Sequence, residues 1–156
     1  VTVRVPLLSD ARSIARVHVD AWRETYSHLL PARFFDGATF ERLQTMWNRL
    51  LATEQPRRPI RVAEVERQVV GFGAAHDPGD GSGPELRMLY LLAGCHGSGL
   101  GQDLLDAVIG DHHASLWMAE DNPRALAFYR RNGFRPTGER RLDENFQNLP
   151  EIRLAR

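Results

Sequence analysis

Residues 89–105 read Leu-Tyr-Leu-Leu-Ala-Gly-Cys-His-Gly-Ser-Gly-Leu-Gly-Gln-Asp-Leu-Leu, an apolar strand run that breaks into a glycine-rich turn and reopens as an amphipathic helix. Gly97, Gly99 and Gly101 let the backbone approach a ligand with no Cβ in the way. The first amides of the helix have no acceptor of their own and point outward, so the segment is built to hold an anion.

Spacing narrows the choice of anion. A nucleotide-hydrolase phosphate loop places Lys-Ser or Lys-Thr after its last glycine, whereas Gly101 is followed by Gln102 and Asp103. The dinucleotide fingerprint Gly-x-Gly-x-x-Gly comes closer, because Gly97-x-Gly99 or Gly99-x-Gly101 supplies two glycines and Glu120 follows a later strand at a ribose-binding distance. Those registers put Gln102 or Leu104 at the third glycine, and the motif falls too late in the chain for a full dinucleotide domain.

A chain of 156 residues predicts one domain, 1–156, able to bury about two-thirds of its unfolded surface. Twenty basic and twenty acidic residues cancel, which leaves no long-range field for nucleic acid or an anionic membrane, and neither is expected as a partner. All the basic side chains are arginine, so lysine nucleophiles and Schiff bases are excluded. The single cysteine, Cys95, rules out an internal disulfide framework and fits a reducing compartment. No apolar run reaches membrane-spanning length, and the opening residues lack the apolar core of a signal peptide, so a cytoplasmic location is expected.

Residues 1–7 read as a strand, and Ser9-Asp10 as the cap of a helix on which Ile14, Val17, Ala21, Trp22 and Tyr26 recur at helical spacing. Pro31 interrupts, and Phe40, Leu43, Trp47, Leu50 and Leu51 mark a second helix. Residues 60–65 and 69–74 predict a hairpin across Glu66-Arg67-Gln68, and 77–84 a loop. A central strand over 85–92 leads to a helix over 99–110, a strand over 115–119, and a helix from Pro123 that Gly133 ends. Two strands near 134–142 and 151–155 close the chain.

His96-Gly97-Ser98-Gly99-Leu100-Gly101 resembles the Arg/Gln-x-x-Gly-x-Gly/Ala element of the GNAT acyltransferase superfamily. Residues 117–134, with Asn122, Tyr129 and a closing Asn132-Gly133-Phe134, resemble that family's strand, Asn turn and tyrosine-bearing helix. His96 departs from the usual Arg or Gln, and Ala93 and Gly94 from the proline and polar residues common there. The resemblance implies an α/β fold, a mixed twisted sheet of about six to seven strands with helices on both faces. Its two central parallel strands, 85–92 and 115–119, would splay to admit a pantetheine arm. The implied cosubstrate is acetyl-CoA, with no metal. Backbone amides from Gly97 to Gln102, including those of Ser98, Leu100 and Gly101, would hold its pyrophosphate. His96 would reach a phosphate when protonated, or else stand as an exposed loop histidine. The backbone of Leu89, Tyr90 and Leu91 would pair with the pantetheine, and Asn122 would contact it or cap the following helix.

The same resemblance implies that Tyr129 lies near the sulfur and protonates the departing thiolate, unless it only packs. Attack by an amine also needs a base, because an alkylammonium with a pKa of about 10 is protonated at neutral pH. Glu85 stands six residues before Leu91, where histone-modifying relatives carry a glutamate base, and Glu24, Glu120, His76 or a water relay are the alternatives. Trp22, Tyr26, Phe34 and Phe35 lie in the region that walls the acceptor pocket in relatives. Trp117 occupies the position, five residues before Asn122, where ribosomal-protein acetyltransferases carry their catalytic glutamate, so an apolar pocket is expected there and those N-termini are not the expected acceptor. The resulting expectation is direct acetyl transfer to a primary amine of a small molecule or peptide. Transfer of a longer acyl group, or a non-catalytic acetyl-CoA sensor, are the alternatives. A homodimer is possible by analogy with relatives.

Overall fold

The computed structural model describes residues 1–53 and 57–156. A short β1 (Thr2–Arg4) leads through a 3₁₀ turn to α1 (Ala11–Tyr26), and a second such turn leads to α2 (Gly37–Ala52). The hairpin of β2 (Ile60–Val65) and β3 (Gln68–His76) is followed by β4 (Glu85–Leu91), α3 (Leu100–Ile109), β5 (Ser115–Ala119) and α4 (Pro123–Arg131). β6 (Arg135–Asp143) and β7 (Leu149–Ala155) close a seven-stranded mixed sheet of order β1-β2-β3-β4-β5-β7-β6. Among the described residues no helix is long and apolar enough to cross a membrane.

The element order is the expected one, with local differences that have identifiable causes. β1 stops at Arg4 because Pro6 has no N–H for the ladder and the Leu7 amide is taken by Asp10 Oδ2 at 2.6 Å. Asp10 therefore does not cap α1 through its side chain; it turns back onto Leu7 and grips Arg4 at 2.7 Å. α2 starts three residues before Phe40, because the Asp36 carboxylate accepts from Thr39 N at 2.9 Å. The β2–β3 turn is the two-residue Glu66-Arg67, both at positive φ, so Gln68 already pairs with Val65.

Helices cover both faces. α1 and α2 pack Ile14, Val17 and Trp47 against Val62 and Phe72, and α3 and α4 enclose Leu105, Leu116, Phe134 and Leu154. The departure from a regular sheet lies at its centre. β4 and β5 pair only at Glu85↔Ser115 and Leu86↔Leu116, while β3 follows β4 to Leu91 and β7 follows β5 to Ala119. Beyond Leu86 the sheet is a V of two lobes.

His18 sits in the first core, 3% exposed, its Nδ1 accepting from Trp47 Nε1 at 3.2 Å. The rings of Trp22, Phe72 and Tyr90 lie 4.5, 5.1 and 5.2 Å from it. Burial pushes its pKa from 6.5 down to about 3. Between those values the unfolded chain binds a proton that the folded chain refuses, so His18 destabilises the fold as pH falls through 6.5 toward 3. Urea unfolding should show about 2 kcal/mol lost from this residue between pH 7 and pH 5. A His18→Gln protein, less stable at pH 7, should show a correspondingly flatter dependence, and an unchanged pH slope would refute the assignment.

Candidate active site

The turn between β4 and α3 is held from several sides. Ala93 N–H donates to Glu24 Oε2 of α1 at 2.8 Å, Ser98 Oγ donates to Cys95 O at 2.6 Å, and His96 Nε2 lies 2.8 Å from Leu91 O. Leu100, 2% exposed, anchors the start of α3 beside Ala63 and Leu104. Gly97 and Gly99 adopt φ of 80° and 90°, which an L side chain resists, and a Cβ at either would meet nothing within 4 Å. Backbone conformation demands these glycines, and the space beside them stays clear.

The Ser98 amide bonds Cys95 O at 3.3 Å, and the Gln102 amide bonds Gly99 O at 3.0 Å. Leu100 N reaches Ser98 Oγ at 3.4 Å. Gly97, Gly99 and Gly101, with Gly94 further back in the turn, are thereby left as amides without an acceptor among the described residues. Gln102 also spends its side-chain amide on Asn132 and Asp106. The free donors at the mouth of a helix fit a pyrophosphate.

The turn opens onto the V. Leu92 N donates to Val70 O at 2.9 Å, so by strand alternation Leu89 and Leu91 turn their N–H and C=O away from β3, into the gap. Tyr90 points its side chain to the α1 side, against Phe72 and His18. Asn122 caps α4, its Oδ1 accepting from Ala125 N at 3.1 Å, with Pro123 at the first helical position. The cap role and a contact through its Nδ2 are compatible.

Because no backbone fills the gap, side chains from opposite faces of the sheet influence one another through it. Tyr129 of α4 is 9% exposed, and its phenol is pushed up by burial and then by Tyr90. Tyr26 of α1 is raised by burial, then by Tyr90, Tyr129 and Glu151. Tyr90 is raised by burial, with opposing contributions from Trp22 and Tyr26. All three phenols stay protonated at any physiological pH.

The carboxylates are distributed unevenly. Glu85 sits at the closed end of the V, half-buried, with Arg87 3.1 Å away and His76 as its cross-strand neighbour. Glu24 is committed to Ala93, and Glu120 to Arg140 at 3.0 Å. Among the described residues His76 Nδ1 is buried without a partner, beside a cavity of about 360 Å³ lined by Leu50, Ile60, His76, Arg87 and Met88, which holds neither the glycine turn nor Tyr129. Trp117 lies on the α1 side of β5, with the Arg141 guanidinium 4.3 Å from its ring. Phe35 is buried in the core, while Trp22 and Phe34 meet Phe146 of the β6–β7 loop at 4.8 and 5.8 Å.

Phe146, Arg141 and Glu151 were not singled out from the sequence. Phe146 is a lone aromatic in a polar loop, and Glu151 and Arg153 alternate with core-facing Ile152 and Leu154. Those were the available signals, but neither says what the loop or that face meets.

Comparison with known proteins agrees with this geometry. The acetyltransferase (GNAT) domain family matches residues 56–136. Uncharacterized N-acetyltransferase YuaI of Bacillus subtilis (strain 168) is 29% identical over 164 residues, covering 99% of this chain and 88% of that protein. Uncharacterized N-acetyltransferase Rv2669 of Mycobacterium tuberculosis (strain ATCC 25618 / H37Rv) is 36% identical over 101 residues, 60% of this chain and 64% of its own. Among solved structures, the PaiA N-acetyltransferase of Thermoplasma acidophilum in complex with coenzyme A superposes with a TM-score of 0.80 at 16% identity, over 99% of this chain and 97% of that one. The ribosomal-protein-alanine N-acetyltransferase of Brucella melitensis gives 0.70 at 22% identity, over 100% and 99%. At such identities these two are likenesses of fold.

Proposed function

Since the chain belongs to the GNAT acetyltransferase family and is an acetyltransferase, we propose that it moves the acetyl group of acetyl-CoA directly onto a primary amine. The observation that carries this reading is the junction of a free-amide glycine turn with the gap between β4 and β5, with the Tyr129 phenol buried beside it. Gly97, Gly99 and Gly101 would hold the pyrophosphate, and the gap-facing N–H and C=O of Leu89 with the N–H of Leu91, whose carbonyl meets His96 Nε2, would pair with the pantetheine as an added strand does. Asn122 would contact the same arm through its Nδ2. Acetyl-CoA would supply an acyl group activated as a thioester.

The roles left to the protein are proton transfers. The acceptor's ammonium must lose a proton before its nitrogen lone pair can form the new C–N bond, and we assign that proton to Glu85 through intervening water. As the C–S bond breaks, the Tyr129 hydroxyl donates its proton to the sulfur, a role suited to a phenol that burial keeps protonated. Cys95 lies in the phosphate turn, away from Tyr129, which disfavours an acyl-cysteine route.

A screen of amines for thiol release tests the reading directly. Binding of acetyl-CoA with no thiol released by any amine would leave a sensor in its place.

The turn is tested without turnover. A ligand at about a hundred times its Kd adds about 2.7 kcal/mol, which for a chain of this size raises Tm by roughly 5–10 °C. Gly99→Val should lower the Tm of the free protein, since a φ of 90° is strained for valine, and should abolish the further rise given by acetyl-CoA. A full rise in the variant would move the phosphate site elsewhere.

Tyr129→Phe keeps the ring packing and removes the proton donor. A thiol with a pKa near ~8.5 leaves readily, so kcat should fall by about 10²-fold, the low end for general acid catalysis, with acetyl-CoA affinity unchanged. Unchanged kcat with weaker acetyl-CoA binding would make Tyr129 a packing residue.

A further inference from the structure

Above the gap, the α1 side of the sheet carries an uncovered wall. Leu116, Met118, Ile152 and Leu154 enter the core beneath α3 and α4, so strand alternation turns Trp117, Glu151 and Arg153 to the other face. On that face α1 and α2 pack over Val62, Phe72, Met88 and Tyr90 of the first lobe, and the second lobe stays open. Phe146 bridges the two, edge-on to Trp22 and stacked on Phe34.

Glu151 lies in this wall beside Ala119, the last residue of β5, with its side chain only 14% exposed. Arg141, its neighbour in β6, donates from Nε to Oε1 at 2.7 Å and is itself stacked on Trp117. Oε2 has no protein partner among the described residues. The carboxylate acts electrostatically on the Tyr26 and Tyr90 hydroxyls, and Asp143 acts on Tyr90 as well. Trp22 is 7% exposed, and its buried indole N–H faces the Tyr90 hydroxyl, so its ring is fixed beside the Phe146 bridge. The wall thus presents a carboxylate oxygen without a protein partner among the described residues, beside the aromatic faces of Phe146 and Phe34.

We propose that Glu151 receives the ammonium group of the acceptor, and that the acceptor is an alkylamine bearing a flat apolar group which lies against Phe146, Trp22 and Phe34. This rests on the acetyl-transfer reading above and assigns its acceptor side. The carboxylate supplies a charge-assisted hydrogen bond to N⁺–H, and the ring faces attract the same cation. Arg141 fixes the carboxylate in place and consumes only one of its oxygens.

Calorimetry with coenzyme A present, where no turnover is required, separates the two readings. The probes are phenethylamine and its neutral isostere 2-phenylethanol. The native protein should bind phenethylamine on the order of ten- to a hundredfold more tightly than the alcohol, the range for a hydrogen bond to a charged group. Glu151→Gln should erase that difference while leaving alcohol binding and the coenzyme A-induced rise in Tm intact, which shows the variant is folded. Phe146→Ala should weaken both probes alike. Equal binding of the two probes to the native protein, or a preference that survives Glu151→Gln, would overturn the assignment. Phenethylamine binding that depends on Glu151 without thiol release on adding acetyl-CoA would support it and sink the transfer reading instead.

Discussion

The loss of hydrogen bonding between β4 and β5 beyond Leu86 is the constraint on which the rest of the molecule depends. A sheet that parts at its centre exposes backbone N–H and C=O groups in its interior, and each one left dry and unpaired costs on the order of 1–3 kcal/mol. The chain keeps the two lobes apart by giving each its own support. β4 stays with β3 to Leu91 and is overlaid by α1 and α2, while β5 stays with β7 and is underlaid by α4. His96 Nε2 meets one of the stranded carbonyls, that of Leu91. In the proposed reaction the rest would pair with the extended pantetheine, which would account for a glycine turn, a phenol and an open slot occurring together.

Rigidity on the α1 side follows from a buried imidazole. His18 fills the space among Trp22, Phe72 and Tyr90 with an acceptor for Trp47, so the residues lining the cleft stand on a packed layer that hydrogen bonds internally. Glu24 on the same helix holds Ala93 at the start of the glycine turn. The wall of the acceptor cleft and the cradle of the proposed phosphates are therefore parts of one supported unit, positioned with respect to each other by α1.

Much of this was legible in the sequence where local chemistry speaks. Glycines and Pro123 punctuate α3 and α4, and periodicity placed β2 and β5 at their observed bounds, while β3 runs on to His76, two residues past the expected end. The family motifs carried the parting of the strands, which no composition or period reveals. Local reading was weakest where one side chain had two competing uses: Asp10 is a good helix cap by type, yet Arg4 and the Leu7 amide claim it. The cleft was least legible. Phe146 gains its meaning only from Trp22 and Phe34, far away in the chain, and Glu151 only from Arg141 and the open face of β7. Glu85, implied by the resemblance to histone-modifying relatives, lies at the closed end of the V, so a link from it to the cleft has to run through water.

The Arg141 guanidinium, stacked on Trp117 and bound to Glu151, has a chemical consequence beyond holding a carboxylate. In the proposed reaction a lysine in the same place would set a primary amine near the activated acyl donor, and the enzyme would compete with its own acceptor. Guanidinium stays protonated at every working pH and offers no nitrogen lone pair. With arginine at all twenty basic positions, the protein presents no side-chain amine anywhere on its surface, and is chemically inert toward self-acetylation at its side-chain cations.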